Sequence, residues 1–123
     1  MSKTSPILGQ WRITKMEQWE KDYVDAEVKA YIRFDERGRG EFQFGYVSGS
    51  MDGRFTERDG RPAVEWSWEG NEEMDEVSGH GWAVLDPDEK HLRGRIFIHD
   101  GDDSGFDARR PSSRPASKSL KRR

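Results

Sequence analysis

The feature that most constrains the fold is an alternation of apolar and polar residues along most of the chain. Apolar side chains recur at every second position in about eight short runs, which Gly, Asp, Asn and Pro separate. Successive side chains of a β-strand point to opposite faces of a sheet, so this pattern predicts strands joined by turns. The predicted strands are 8–19, 30–35, 41–48, 51–58, 63–70, 77–86, 91–99 and 105–109.

The connections between these strands are short, with one exception. Short links favour antiparallel neighbours in chain order, and closing such a meander removes the exposed edges that promote aggregation. We therefore predict an all-β fold, a small antiparallel up-and-down β-barrel of about eight strands, with a two-sheet β-sandwich as the alternative. The exception is 20–29, where Trp19, Tyr23, Ala26 and Ala30 fall at near-helical spacing. This segment forms either one or two helical turns across the barrel mouth or an irregular loop.

The composition changes near Arg110 and predicts two parts, a β-barrel domain over 1–110 and a disordered basic tail over 111–123. The tail contains two Pro, no aromatic residue and a single large aliphatic residue, so it cannot bury enough apolar surface to offset the entropy of ordering. Residues 109–123 also hold seven of the 21 Lys and Arg and no acid. The first 108 residues then carry 14 basic and 24 acidic side chains, a net charge of −10.

Composition also restricts the compartment and the partners. The chain has no Cys, which excludes disulfides and thiolate metal sites and suits a reducing compartment. Its first residues lack the apolar region of a signal peptide, and no run of apolar residues is long enough to span a bilayer. We interpret the protein as cytoplasmic, without a membrane partner. Nucleic acid is not an expected partner, because the body is acidic and the tail has no aromatic residue to stack on a base.

The segment Gly9-Gln10-Trp11 at the head of the first strand resembles the Gly-x-Trp opening of the lipocalins and other calycin barrels. The resemblance implies an eight-stranded barrel in which Trp11 plugs one end and an arginine near the end of the last strand packs across it. Arg109 and Arg110 both stand where that arginine would be. The resemblance further implies an internal pocket for a small, mostly apolar ligand.

A second resemblance covers nearly the whole body and rests on 38–45, 64–70, 81–85 and 94–99. These segments resemble a family of short bacterial hypothetical proteins. The resemblance implies a stably folded domain and no particular activity.

Three tryptophans have two possible interpretations. In a barrel this small, Trp66, Trp68 and Trp82 either fill the interior or line a pocket, where an indole offers a large rigid surface and one hydrogen-bond donor. Arg95 belongs to a row of basic residues on one strand face, which either binds an anion or is an ordinary solvated face. We predict non-catalytic binding of a small, partly apolar ligand in a calycin-like pocket, with the loop at Tyr23 as a lid. The predicted ligand-binding residues are Trp11, Tyr23, Trp66, Trp68, Trp82 and Arg95.

The remaining motifs predict neither catalysis nor a cofactor. His80, His91 and His99 lack the spacing that would put two ligands on one face of a strand or helix, so no metal site is predicted. No serine stands in a nucleophile elbow, and the glycines form no phosphate-binding loop. The alternative function is a protein-interaction module with a solid-packed barrel, whose partner is another protein or a second copy.

Overall fold

A computed structural model of the chain describes residues 5–111, so the predicted basic tail lies, from residue 112 onward, outside the described residues. Eight strands and one helical turn make up the described chain. No helix within this range has the length and apolar character needed to cross a bilayer. The elements are β1 (Gly9–Met16), α1 (Lys21–Val24), β2 (Tyr31–Phe34), β3 (Gly40–Phe44), β4 (Val47–Arg58), β5 (Arg61–Glu72), β6 (Asp75–Leu85), β7 (His91–Ile98) and β8 (Asp103–Arg109).

The strands form a closed antiparallel barrel. Each strand pairs with the next in chain order, and β8 pairs back with β1. The pairing of β1 with β8 changes register between Ile13 and Lys15, at an irregularity that marks where the barrel closes. The predicted up-and-down barrel is therefore confirmed, and the sandwich alternative is wrong.

The turn between β4 and β5 is the hairpin turn that the Asp59-Gly60 pair favours. Both residues have positive φ, +53° at Asp59 and +77° at Gly60, which is the conformation that a tight two-residue hairpin turn requires.

Two other predicted breaks are misplaced. The sequence suggests a break at 48–51, but β3 ends at Phe44, the chain turns at Gly45-Tyr46, and β4 runs uninterrupted from Val47. Gly45 has a φ of +56°, and a Cβ there would lie 2.3 Å from the Tyr23 ring. Tyr46, which falls within the predicted strand 41–48, is therefore a turn residue and is 43% exposed. Likewise 71–76 is not a loop, because β5 and β6 continue into it.

The one long connection contains a single helical turn, α1, and its geometry depends on Asp25. The Asp25 carboxylate accepts hydrogen bonds from the backbone N–H of Ala30 at 2.9 Å and from Arg12 and Lys21 at 3.0 Å each. Partial burial acts to raise the pKa of Asp25, but these hydrogen bonds outweigh it and hold the pKa below its usual value. The connection is thereby fixed against β1.

The barrel interior is packed with aromatic rings that lie against glycines of the neighbouring strands. A Cβ on Gly81 would lie 2.5 Å from Cζ2 of Trp66, and a Cβ on Gly49 would lie 2.7 Å from Cε3 of Trp68. Glycine at these positions leaves the space that the two indoles occupy. The largest side chains with essentially no exposure are Trp11, Phe34, Phe42, Phe44, Ile7, Ile13, Ile32, Leu85, Leu92 and Ile96.

One end of the barrel is closed by Trp11 and Arg110. The Arg110 guanidinium lies 3.9 Å from the centroid of a Trp11 ring, and its Nη2 donates to the Pro6 carbonyl at 2.6 Å. The Trp11 Nε1 donates to the Ile7 carbonyl at 2.8 Å. The sequence left open whether Arg109 or Arg110 packs across Trp11. Arg110 does so, while the side chain of Arg109 is exposed.

Replacing Arg110 with alanine is expected to lower the unfolding free energy by about 1–2 kcal/mol, because it removes a stacked cation and a charge-assisted hydrogen bond. Arg109→Ala is the matched control and should change stability by less than about 0.5 kcal/mol, as surface substitutions usually do. Urea unfolding of both variants measures the difference. Equal losses would show that Arg110 does not stabilise this end of the barrel.

Candidate binding surface on the outer face of the barrel

The three tryptophans predicted to line one pocket point in two directions. Trp66 and Trp68 face the interior and are each 4% exposed. Trp66 pairs across strands with Gly81, so Gly81 faces inward and the next residue, Trp82, faces outward. The structure therefore does not bring Trp66, Trp68 and Trp82 together inside the barrel.

The two interior indoles are held among other rings. Trp68 packs edge-to-face on Phe42, with ring centroids 5.0 Å apart, and its Nε1 donates to the Phe97 carbonyl at 3.2 Å. Trp66 lies 5.5 Å from Phe34 between centroids, and its Nε1 is buried without a partner among the described residues. Both indoles thus occupy the place where an internal ligand would have to lie.

Tyr23 lies outside the barrel interior, beside the turn between β3 and β4. Its ring centroid is 5.8 Å from that of Trp19 and 5.9 Å from that of Tyr46. Partial burial raises the pKa of the Tyr23 hydroxyl. Tyr23 therefore packs over the end of the barrel opposite to the one that Trp11 closes.

Arg95 lies on the outer face of β7 and is paired with two carboxylates. Its Nη2 is 2.8 Å from Oε1 of Glu17, and its Nε is 2.7 Å from Oδ2 of Asp103. The hydrogen bonds to these carboxylates raise the pKa of Arg95. Because these two carboxylates neutralise the charge of Arg95, the guanidinium attracts an anionic ligand only weakly.

The outer face contains an aromatic and cationic cluster that we call the Trp82 surface, formed by Arg58, Arg61, Trp82, Val84 and Arg93. The Arg58 guanidinium lies 4.4 Å from the centroid of the Trp82 ring. Val84 points outward and is nonetheless only 7% exposed. Trp82, in β6, faces outward under the Arg58 side chain, whereas the tryptophans of β5, Trp66 and Trp68, face the core.

Three open grooves meet at Trp82. One, of about 630 Å³, runs over β4, β5 and β6 between Arg54 and His80. A second, of about 490 Å³, extends over β7 and β8 past Arg93. The third, of about 320 Å³, lies beside the turn between β4 and β5 and is bordered by Arg58 and Arg61. Trp82 lines all three grooves, so its ring is the point where they join.

A pair of stacked rings beside Trp82 extends this face. His80 and Phe97 stack with their ring centroids 4.4 Å apart and their planes at 11°. Both residues are on the outer face, since His80 pairs across strands with Phe97 and with Ser67. The alternation of residues in β6 and in β7 shows which residues of each strand share a face with His80 or with Phe97. The sequence does not show which of the two faces is the outer one.

One cluster with metal-ligand atoms was not predicted from the sequence. Ligand atoms of Asp86, Asp88 and His91 lie within 4.8 Å of one another at the turn between β6 and β7. Asp88 accepts hydrogen bonds from the backbone N–H of Lys90 at 2.8 Å and of His91 at 3.2 Å. The hydrogen bond from the Lys90 N–H and the hydrogen bond with the His91 imidazole lower the pKa of the Asp88 carboxyl. Hydrogen bonding within the turn accounts for the position of Asp88.

The fold and the surface define a class: a small closed β-barrel with a packed interior and an aromatic, cationic patch on its outer face. Comparisons of the chain with protein-family models, with curated proteins and with solved structures found no match. The resemblances to calycin barrels and to short bacterial proteins stay predictions.

Proposed function

We propose that the protein is a non-catalytic binding domain that holds a small, partly apolar ligand on the Trp82 surface. The observation that carries this proposal is the position of Trp82, which faces outward and is covered by the Arg58 side chain at 4.4 Å. An indole on the outer face offers a flat apolar surface and one donor for orientation. Polar residues are expected on the solvent face of a barrel strand, so this exception supports a binding role.

The packed interior supports a site on the outer face instead of a site inside the barrel. A ligand inside would have to displace Trp66 or Trp68, whose rings lie against Gly81 and Gly49. The grooves at Trp82 range from about 320 to about 630 Å³. Sites for small molecules commonly have volumes of roughly 300–1,000 Å³, so the grooves are large enough.

The charged groups beside Trp82 support binding without catalysis. The Asp86 carboxylate lies 3.7 Å and the Asp107 carboxylate 3.9 Å from the Arg93 guanidinium, and Glu65 lies 3.6 Å from Arg54. A general acid or base needs a shifted pKa and a converging partner. Each of these three carboxylates instead lies beside an arginine at the surface, which gives it an ion-pair partner and no converging acid or base.

A second candidate is a protein-interaction module that uses the same surface. Trp and Arg are the residue types that most often dominate the energy of protein interfaces, and Trp82, Arg58 and Arg93 combine them on one open face. The partner would be another protein or a second copy of this chain. The predicted cytoplasmic location is compatible with both candidate functions and stays a prediction.

The test is a titration with N-phenyl-1-naphthylamine, a neutral aromatic probe, followed by two-dimensional NMR of the tryptophan indole groups. We expect the Trp82 indole signal to shift while the signals of Trp66 and Trp68 stay in place. Trp82→Ala should weaken probe binding at least about tenfold, since it removes the stacking surface.

Other outcomes would contradict the proposal. Shifts confined to Trp66 and Trp68 would mean that the ligand enters the barrel. A Trp82 signal that ignores the probe but broadens as the protein concentration rises would favour the protein-interaction candidate.

A further inference from the structure

The arginines around Trp82 differ in whether a carboxylate neutralises them. Arg93 and Arg95 each lie within 4.0 Å of two carboxylates. Arg58 and Arg61 form no ion pair within residues 5–111. Their charges are therefore available to an anion from outside the barrel.

These two arginines share one groove beside the turn between β4 and β5. The groove of about 320 Å³ is lined by seven residues, which are Arg58, Asp59, Arg61, Trp82, Val84, Asp86 and Arg93. The Asp86 carboxylate is within 3.7 Å of Arg93. Three of these residues are basic and two are acidic, so the groove carries a net positive charge on a body whose net charge is strongly negative. This charge distribution is complementary to an anion.

Arg58 reaches Trp82 from the last position of β4, next to the turn Asp59-Gly60. Its side chain makes no hydrogen bond within the described chain, and its guanidinium lies over the indole. A cation stacked on an aromatic ring at the protein surface is a weak interaction. A flat ligand ring can replace the guanidinium on the indole, and the released guanidinium can then bind an anionic group of the same ligand.

We propose that the ligand of the Trp82 surface is a planar aromatic molecule with an anionic group. Its ring stacks on Trp82 in place of the Arg58 guanidinium, and its anion lies between Arg58 and Arg61. The inference rests on the proposed function, because it names the ligand class for the same surface.

This chemistry is shared by two sources of ligand. An aromatic carboxylate and a mononucleotide both combine a flat ring with an anion. Competition separates them: 1-naphthoate and adenosine monophosphate are each tested for displacement of a bound probe, and the tighter competitor identifies the source.

The direct test compares two probes with the same ring system, 8-anilinonaphthalene-1-sulfonate and N-phenyl-1-naphthylamine, which differ in the sulfonate. We expect the anionic probe to bind the folded protein about tenfold more tightly, and we expect the Arg58→Ala/Arg61→Ala double variant to reduce this preference to about twofold or less. The neutral probe should keep its affinity for the double variant or gain, because Arg58→Ala uncovers the indole.

Arg37→Ala is the matched control. Arg37 lies in the turn between β2 and β3, is exposed and forms no ion pair within residues 5–111. Its removal lowers the net charge by one unit, against two in the double variant, and far from the groove it should leave the preference for the anionic probe intact. Circular dichroism and urea midpoints confirm that all variants are folded.

The outcomes separate the two proposals. Equal binding of the two probes to the wild-type protein, or a preference that persists without Arg58 and Arg61, would overturn the anion inference and leave the proposed function standing. Absence of binding by both probes, or binding of both that is unchanged in Trp82→Ala, would overturn the proposed function and the inference together.

Discussion

Replacing Trp66 with alanine is expected to lower the unfolding free energy by about 3–5 kcal/mol, enough to unfold a marginally stable barrel at elevated temperature. Trp66 is 4% exposed and packs against Phe34 and against the backbone of Gly81. Truncation leaves a large cavity that neighbouring strands cannot collapse to fill. Urea unfolding followed by circular dichroism measures the loss.

Trp82→Ala is the matched control, since Trp82 lies on the opposite face of the sheet, one strand away. It should lower the unfolding free energy by about 1–2 kcal/mol, clearly less than Trp66→Ala, because the Trp82 ring is only partly buried on the outer face and its removal opens no cavity in the core. Similar losses for the two variants would mean that Trp82 is as buried as Trp66, and the outer-surface site would then have no basis.

Gly81→Ala is expected to lower the unfolding free energy by about 1–3 kcal/mol, the usual cost of an extra methyl group in a well-packed core. The added Cβ would lie 2.5 Å from Cζ2 and 2.7 Å from Cε2 of Trp66, so the indole or the strand must shift. Thermal unfolding followed by calorimetry or circular dichroism gives the change.

Gly105→Ala is the control for the loss of a glycine in a strand. A Cβ there would meet its nearest neighbour, an Arg95 guanidinium nitrogen, at 3.4 Å, an ordinary contact. We expect it to change stability by less than about 1 kcal/mol.

The clash between a Cβ at position 81 and the Trp66 ring can also be tested directly. Combining Gly81→Ala with Trp66→Leu should recover part of the loss if the two residues are in contact. Strictly additive losses would show that Trp66 does not pack on Gly81.

These two results bear on function as well as on stability. If Trp66 and Gly81 jointly fill the barrel, the space for a ligand inside it is already occupied by the chain itself. A ligand would then have to bind on the outer face, where the exposed Arg58 side chain lies over the partly buried Trp82 ring at the junction of three grooves.

The sequence by itself determined the strand content, the order of the strands and several of their ends. Alternation marks each strand because a pleated strand presents successive side chains to opposite faces. The Asp59-Gly60 turn is local in origin, since two adjacent residues with positive φ are enough to reverse the chain. The short connections predicted a closed barrel but left a sandwich as the alternative, and the pairing of β8 with β1 in the structure decides between them.

The misplaced break at 48–51 shows that the position of a turn can depend on a contact with a distant part of the chain. The chain turns at Gly45-Tyr46, where Gly45 leaves room for the ring of Tyr23, a residue from a different part of the chain. Similarly, Arg109 and Arg110 are equivalent in sequence, and only the direction in which the last strand ends places Arg110 over Trp11.

The site depended entirely on tertiary structure. Alternation in β5 and in β6 fixes which residues share a face within each strand, but a shift of one residue in the pairing exchanges the two faces. The pairing of Trp66 with Gly81 is what places Trp66 inside the barrel and Trp82 outside it. That pairing is selected by packing, because an indole fits beside a residue without a side chain, and such a contact between distant segments is not visible in the sequence of either strand alone.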